Sequence, residues 1–140
     1  MPGINFSRVL LGGLAAGVIL NAGEFLLNEV LFKTQLEETV ARLHVERPEL
    51  IFNSLASGLT LLLGIVVVLL YALIRTRLGP GPKTALMAGA LAWFCIYFYS
   101  GVLTSVLLGL RKDLLLIGLV WGAFEYSIAA IGGAALYREK

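Results

Sequence analysis

The chain has 140 residues, the length of one domain, and its 59% hydrophobic side chains and mean hydropathy of +0.89 exceed what soluble domains carry. Charged side chains make up 14% of the residues, against about 25% in soluble proteins, and they stand between long apolar runs. The net charge of +2 and the short Lys and Arg groups that flank these runs exclude a nucleic-acid-binding protein and indicate a lipid bilayer as the surrounding medium.

Four apolar segments are long enough to cross a membrane as helices, because each reaches the about 20 residues that the hydrocarbon core requires. They cover residues 9–32, 52–74, 84–110 and 114–137. We therefore predict an all-α protein, a four-helix transmembrane bundle of up-down-up-down order that forms a single domain over residues 1–140. The first segment is not expected to be a cleaved signal peptide, since it continues past "NAG" as "EFLLNEVLF".

The connection between the first two segments, "KTQLEETVARLHVERPEL", carries its own helical pattern. Leu36, Val40 and Leu43 recur at helical spacing, and polar side chains fill most of the positions between them. This pattern predicts a short amphipathic helix on the membrane surface, ended near Arg47 by Pro48. The next connection, "RTRLGPGPKT", is typical of a turn, and the last, "LRKD", predicts a tight hairpin.

The orientation follows from the Lys and Arg residues near the membrane ends. The side of the two termini would hold six of them: Arg8, Arg75, Arg77, Lys83, Arg138 and Lys140. The opposite side would hold five: Lys33, Arg42, Arg47, Arg111 and Lys112. The small excess favours cytoplasmic termini in a multi-pass membrane protein, and the near-balance leaves dual insertion open.

The first apolar segment carries small and polar residues on one face. Their spacing of three or four residues places them in line along the helix: Gly13, Gly17, Asn21, Glu24 and Asn28. Helices approach closely in lipid through small residues, so Gly13 and Gly17 predict a helix contact, with Gly12 and Ala16 as a second small pair beside them. The Asn and Glu residues form a candidate intramembrane polar site.

The fourth segment repeats this arrangement on one face with Gly118, Gly122, Glu125, Ala129 and Gly132. Gly118 and Gly122 are the corresponding candidates for a helix contact. Since the first and last helices of an up-down bundle are neighbours, we expect the two small faces to pack together and the two carboxyl groups to approach each other.

An ionisable side chain at the bilayer centre costs about 2.5–3.5 kcal/mol, so both glutamates are expected to face the bundle and find partners. The four predicted segments contain no Lys or Arg. The polar partners that remain are Asn21, Asn28, Tyr97, Tyr99, Ser100, Thr104 and Tyr126. Three interpretations stay open: hydrogen-bonded structural contacts, a proton- or cation-binding site, and contact with another subunit, a lipid or a cofactor.

The sequence lacks the residues and motifs that several common kinds of site require. Cys95 and His44 are the single Cys and His of the chain, so it can form neither an intramolecular disulfide nor a bis-His metal or haem site. The sequence contains no GxSxG or HExxH motif and no phosphate-binding glycine loop. We therefore expect a protein that is not an enzyme, with no cofactor and no metal.

Three stretches, "RVLLGGLAAGVILNAGEFLLNEV", "RTRLGPGPKTA" and "LLLIGLVWGAFEYSIAAIGGAALYREK", give the chain a recognisable appearance. It resembles a set of small, uncharacterised bacterial four-helix integral membrane proteins over nearly its whole length. The resemblance implies a bacterial cytoplasmic membrane and no particular activity. The size is also similar to that of small multidrug transporters, which carry a glutamate in the first helix but lack this long charged first loop. Four-helix glutathione-transferase-type membrane enzymes are similar in size too, but no Arg-rich glutathione-binding motif is present.

Two functions follow as hypotheses. The first is a non-catalytic accessory or structural subunit of a larger membrane complex, or a self-associating bundle, with lipid and other membrane subunits or itself as partners. The alternative is a small transporter or channel in which Glu24 and Glu125 exchange protons or cations and Asn21 and Asn28 line the same path.

Overall fold

The computed structural model describes residues 3–46 and 48–137, and within these ranges the chain is helical with no β-strand. The α-helices are α1 (Phe6–Phe25), α2 (Lys33–Arg42), α3 (Glu49–Leu78), α4 (Pro82–Trp93), α5 (Ser100–Leu108) and α6 (Lys112–Leu136). A π-helical segment, Leu26–Leu31, continues α1, and a second one, Phe94–Tyr99, joins α4 to α5.

Four continuous helices are long and apolar enough to cross a membrane, which confirms the prediction of an all-α chain with four candidate spans. We number them the first to fourth spans: Phe6–Leu31, Glu49–Leu78, Pro82–Leu108 and Lys112–Leu136. Each begins slightly before its predicted apolar segment, because a helix starts at its cap and not at its first apolar residue. The side chain of Asn5, for example, accepts a hydrogen bond from the backbone N–H of Arg8, and Pro82 opens α4.

Helix α2 connects the first two spans, and none of its residues is buried. It ends at Arg42, before the predicted end near Arg47, which lies outside the described residues. His44 follows with a φ of +53°, a left-handed conformation that a helix cannot continue. The guanidinium of Arg42 donates a hydrogen bond to the carbonyl of Leu108 at 3.0 Å, so α2 is attached to the end of α5.

Helices α1 and α3 pack through glycines. A Cβ on Gly17 would stand 2.7 Å from the Cα of Leu61, and one on Gly13 would overlap the backbone of Ile65. Gly64 lies opposite, where a Cβ would overlap the backbone of Gly17. Backbones this close leave no room for a side chain, so small residues on both helices set the separation of the first two spans.

Helices α1 and α6 pack through a second set of small residues. Gly12 faces Gly133, where a Cβ on Gly133 would stand 2.8 Å from the carbonyl oxygen of Gly12 and 3.0 Å from the Cβ of Ala16. A Cβ on Gly132 would approach the end of the Ile19 side chain at 2.8 Å. Thus α1 has two small faces, one for each neighbour.

This arrangement differs from the expected pairing of two glycine faces. Gly13 and Gly17 contact α3, whereas the neighbouring Gly12 and Ala16 contact α6. Periodicity identifies both small faces of α1, but the partner of each depends on the shape of the opposing helix.

Helix α4 packs against both α3 and α6, with Gly89 close to the backbone of Tyr126. The core lies where α1, α3, α4 and α6 meet, and most of its buried residues are Ala, Val and Tyr. Tyr71 and Tyr137 meet edge-on near one end of the bundle, with ring centroids 6.0 Å apart, and Arg75 lies over both rings. Beyond the second π segment the packing loosens: Val106 and Leu107 of α5 are strongly exposed.

Candidate functional site

Glu24 lies at the end of α1, half-buried, and its carboxylate has two internal partners. The hydroxyl of Tyr97 donates a hydrogen bond to Oε1 at 2.5 Å. The side-chain amide of Asn28 donates to Oε2 at 2.9 Å and to the backbone carbonyl of Glu24 at 2.9 Å. Hydrogen bonds to a carboxylate are short and strong, so Tyr97 fastens the third span to the first at this point.

Glu125 lies near the middle of α6 and is 6% exposed, yet neither of its carboxylate oxygens has a hydrogen-bond partner among the described residues. Its carboxyl group rests against the backbone of Gly23, where a Cβ would stand 2.5 Å from the carboxyl carbon. Buried polar groups are nearly always hydrogen-bonded, so an orphaned carboxyl requires an explanation outside packing.

Tyr97 stands at the centre of this region. It belongs to the second π segment, and its ring packs on Gly122, where a Cβ would stand 2.6 Å from a ring carbon. The ring also meets Tyr126 edge-on, with centroids 5.6 Å apart. The residue after Gly23 is Glu24, and the residue before Tyr126 is Glu125, so the two glutamates lie around one aromatic cluster.

Two tryptophans close the region with indole hydrogen bonds to backbone carbonyls. Trp121 donates to Gly23 at 3.2 Å, and Trp93 donates to Leu119 at 3.0 Å. A buried indole needs such an acceptor. The two bonds join the fourth span to the first and the third to the fourth.

A cavity of about 350 Å³ opens beside Glu24. Its walls come from the end of the first span, from α2, from the second π segment and α5, and from the start of α6. The polar residues that line it are Glu24, Asn28, Gln35, Thr39, Tyr97, Thr104 and Ser105. The rest of the lining is apolar or glycine, the composition typical of sites for small molecules.

The two asparagines predicted for the site are separated by the fold. Asn28 lines the cavity and holds Glu24. The amide of Asn21 donates to the carbonyl of Gly17 at 3.0 Å and across to the carbonyl of Ser57 on α3 at 3.2 Å. Asn21 is therefore a contact between the first two spans, and it does not line the cavity.

The two glycines predicted as contacts on α6 also differ. Gly122 accommodates the ring of Tyr97. Gly118 lines the cavity, and a Cβ on it would meet no atom within 4 Å. Gly118 thus provides space, whereas Gly122 permits packing.

Sequence reasoning missed Gly23 and the contribution of α2 to the cavity. Gly23 was one glycine among 16, and only the adjoining Glu24 marked it. Gln35 and Thr39 lie one turn apart on α2, on the side of Leu36. The sequence therefore shows that they share a helix face, but it does not show that this face lines the cavity. Tyr97 was one of seven polar candidates, and nothing local set it apart.

The described residues hold no group of three or more His, Cys, Asp or Glu side chains placed to bind a metal ion. Cys95 is exposed on the second π segment. His44 is exposed after α2, where it lines a separate shallow groove with Glu37, Glu46 and Glu49.

Comparison with known proteins gives no relative from which a role could be transferred: no family model, no curated protein and no solved structure matches the chain. The chemistry of the site therefore rests on its own geometry.

Proposed function

We propose that this chain is a small non-catalytic membrane protein that moves protons or cations, with Glu24 and Glu125 as the exchanging groups. The observation that supports this most is the buried carboxyl group of Glu125, whose oxygens have no hydrogen-bond partner among the described residues, since the nearby Trp121 indole donates to the carbonyl of Gly23. An ionisable group inside a membrane protein that makes no internal hydrogen bond is costly to the fold, and such groups mark ion and proton pathways.

A purely structural role explains Glu24 better than Glu125. Glu24 joins two spans through Tyr97, as a structural hydrogen bond would. Glu125 makes no such bond to any residue that the structure describes, so no polar contact of its carboxyl group joins two of the described helices. The cavity beside Glu24 adds a route by which a small ion could reach the first carboxylate.

The proposal includes an arrangement in the membrane. The four spans run up-down-up-down in a bacterial cytoplasmic membrane, with both termini in the cytoplasm and α2 on the opposite surface. The excess of Lys and Arg on the side of the termini supports this orientation. With Cys95 replaced by Ser, an impermeant maleimide should label Lys112→Cys on intact spheroplasts and label Lys83→Cys only after permeabilisation.

The function is tested by proton flux into liposomes that contain the purified protein and a pH-sensitive dye. An imposed pH gradient should dissipate faster with the wild type than with empty liposomes. Glu125→Gln and Glu24→Gln should each remove most of this flux, because a side-chain amide does not take up and release protons as a carboxyl group does.

Glu29→Gln is the matched control, since Glu29 lies in the first π segment and does not line the cavity. Its flux should equal that of the wild type. Equal flux from Glu24→Gln, Glu125→Gln and the wild type would refute the proposal.

An accessory or self-associating role is the second proposal, and the third span favours it. In the apolar 18-residue stretch of this span, 6% of the residues are buried, against 28–33% in the corresponding stretches of the other three spans. Its exposed residues include Tyr99, a side chain with a polar hydroxyl that lipid tails cannot hydrogen-bond. A particle extracted in mild detergent that contains other polypeptides, or several copies of this chain, at fixed stoichiometry would support this role, and a monomer would contradict it.

A further inference from the structure

The cavity beside Glu24 has one charged end and a largely apolar lining, in which Gln35, Thr39, Thr104 and Ser105 are the other polar residues. Glu24, Asn28 and Tyr97 lie together at one end through their hydrogen bonds. The apolar side chains that line the rest are Leu27, Phe32, Leu36, Leu110, Leu114, Leu115 and Leu119. Its volume of about 350 Å³ is that of a small-molecule site.

Two glycines keep this cavity open. A Cβ on Gly118 would meet no atom within 4 Å, and one on Gly101 would touch only the end of the Leu115 side chain at 3.9 Å. Both residues line the cavity. Unlike Gly13, Gly17 or Gly64, they are not required for helices to approach, so their lack of a side chain serves to leave space.

The polar end of the cavity presents acceptors and no free donor. The Tyr97 hydroxyl donates its hydrogen to Glu24, and the Asn28 amide directs both of its donated bonds to Glu24. Each carboxylate oxygen retains a further lone pair, and the Asn28 side-chain oxygen remains an acceptor. At this end of the cavity a ligand must therefore bring the hydrogen-bond donors, whereas Gln35, Thr104 and Ser105 line other parts of it.

The charge of the lining selects the same kind of ligand. Among the described residues the lining includes the carboxylate of Glu24 and no Lys, Arg or His. An anion would be repelled, and a neutral hydroxyl would give one donor, whereas an ammonium group gives three donors and a compensating charge.

We propose that the cavity binds single-chain amphiphilic amines, with the ammonium group on Glu24 and the alkyl chain along the leucines. This deepens the proposed function, on which it rests, by naming the cation that Glu24 would exchange for a proton. A two-chain phospholipid with an amine headgroup fits less well, because its phosphate would lie beside the carboxylate and its second chain has no place in the cavity.

The experiment uses the full chain in phosphatidylcholine nanodiscs and three probes of equal length: 11-bromoundecylamine, 11-bromoundecanol and 11-bromoundecanoate. Bromine quenches tryptophan on contact, and Trp93, whose indole bonds to the cavity residue Leu119, is the reporter. We expect saturable quenching by the amine, with a half-saturating concentration about tenfold or more below that of the alcohol. A tenfold difference in affinity corresponds to about one charge-assisted hydrogen bond.

Variants distinguish binding of the probes in the cavity from their partitioning into the bilayer. Gly118→Leu should abolish the saturable part of the quenching, because its Cβ enters open space and the rest of its side chain takes up part of the cavity. Gly58→Leu, whose Cβ also enters open space but on α3 and outside the cavity, should bind like the wild type. Glu24→Gln should weaken the amine about tenfold and leave the alcohol unchanged.

Three results would overturn the inference: equal quenching by the three probes, unchanged binding to Gly118→Leu, or complete displacement of the amine by phosphatidylethanolamine in the nanodisc. The last would identify a lipid headgroup as the occupant. Proton flux that depends on Glu24 and Glu125 but no amine binding would remove this inference alone. Amine binding in a protein without carboxyl-dependent flux would remove the proposed function alone.

Discussion

The carboxyl group of Glu125 lies directly against the backbone of Gly23, on a different helix and one residue before Glu24. Any side chain larger than hydrogen at position 23 would occupy the place of this carboxyl group. The contact brings the acid of the fourth span to the acid of the first, and it makes Gly23 a part of the site.

Gly23→Ala tests this contact. The new Cβ would stand 2.5 Å from the Glu125 carboxyl carbon, so this side chain must move. Because the displaced atoms are the end of a flexible side chain, the free energy of unfolding should fall by about 1 kcal/mol, the lower end of the range for overpacking. Unfolding in mixed micelles measures this loss. In the background of Glu125→Ala the same change should cost far less, and an equal cost in both backgrounds would contradict the contact.

Gly64→Ala should disrupt the pairing of the first two spans. A Cβ at Gly64 would overlap the backbone of Gly17, which cannot rotate away as a side chain can. We expect a loss of about 3 kcal/mol or more, at or above the upper end of overpacking effects. At Gly58 on the same helix the new Cβ meets no atom within 4 Å, so Gly58→Ala should be neutral or stabilise the protein by up to about 1 kcal/mol in the same assay, because Ala is the better helix former. Equal stability of the two variants would show that α1 and α3 do not pack as described.

Tyr97→Phe removes one hydroxyl and keeps the ring on Gly122. The Glu24 carboxylate then loses a hydrogen bond of 2.5 Å, which should lower stability by about 1.5–3 kcal/mol, the range for bonds to charged groups. Tyr99→Phe is the matched control, since Tyr99 is 61% exposed in the same π segment. If the two variants were equally stable, the bond to Glu24 would contribute nothing to the fold.

Glu125→Met should leave stability unchanged or raise it, because it replaces a buried carboxyl without a partner by an apolar side chain of similar length. Proton flux should be lost in the same variant. Gain of stability with loss of function is expected of a group retained for activity. A loss of more than about 2 kcal/mol would instead identify Glu125 as a structural residue.

The four candidate spans, the connections and the short helix after the first span could all be predicted, since they depend on local hydropathy, periodicity and turn residues. The end of α2 was predicted too late. Pro48 marks where a helix cannot continue, but the chain already leaves the helix at Leu43 and turns at His44. The two π segments have no local signature in the sequence.

The sequence by itself determined that this chain is helical and apolar enough for a membrane, and that acids, amides and glycines recur on defined helix faces. Only the tertiary structure decided that Gly13 and Gly17 face α3 and that Gly118 faces a cavity. It also decided that Tyr97 donates to Glu24, while Glu125 has no hydrogen-bond partner among the described residues. The reason is physical. The free energy of transfer from water to lipid is a property of each segment alone. The choice of a neighbouring helix depends instead on the shape of the opposing backbone and on the few polar atoms that meet between helices, and these contacts exist only once the helices are assembled.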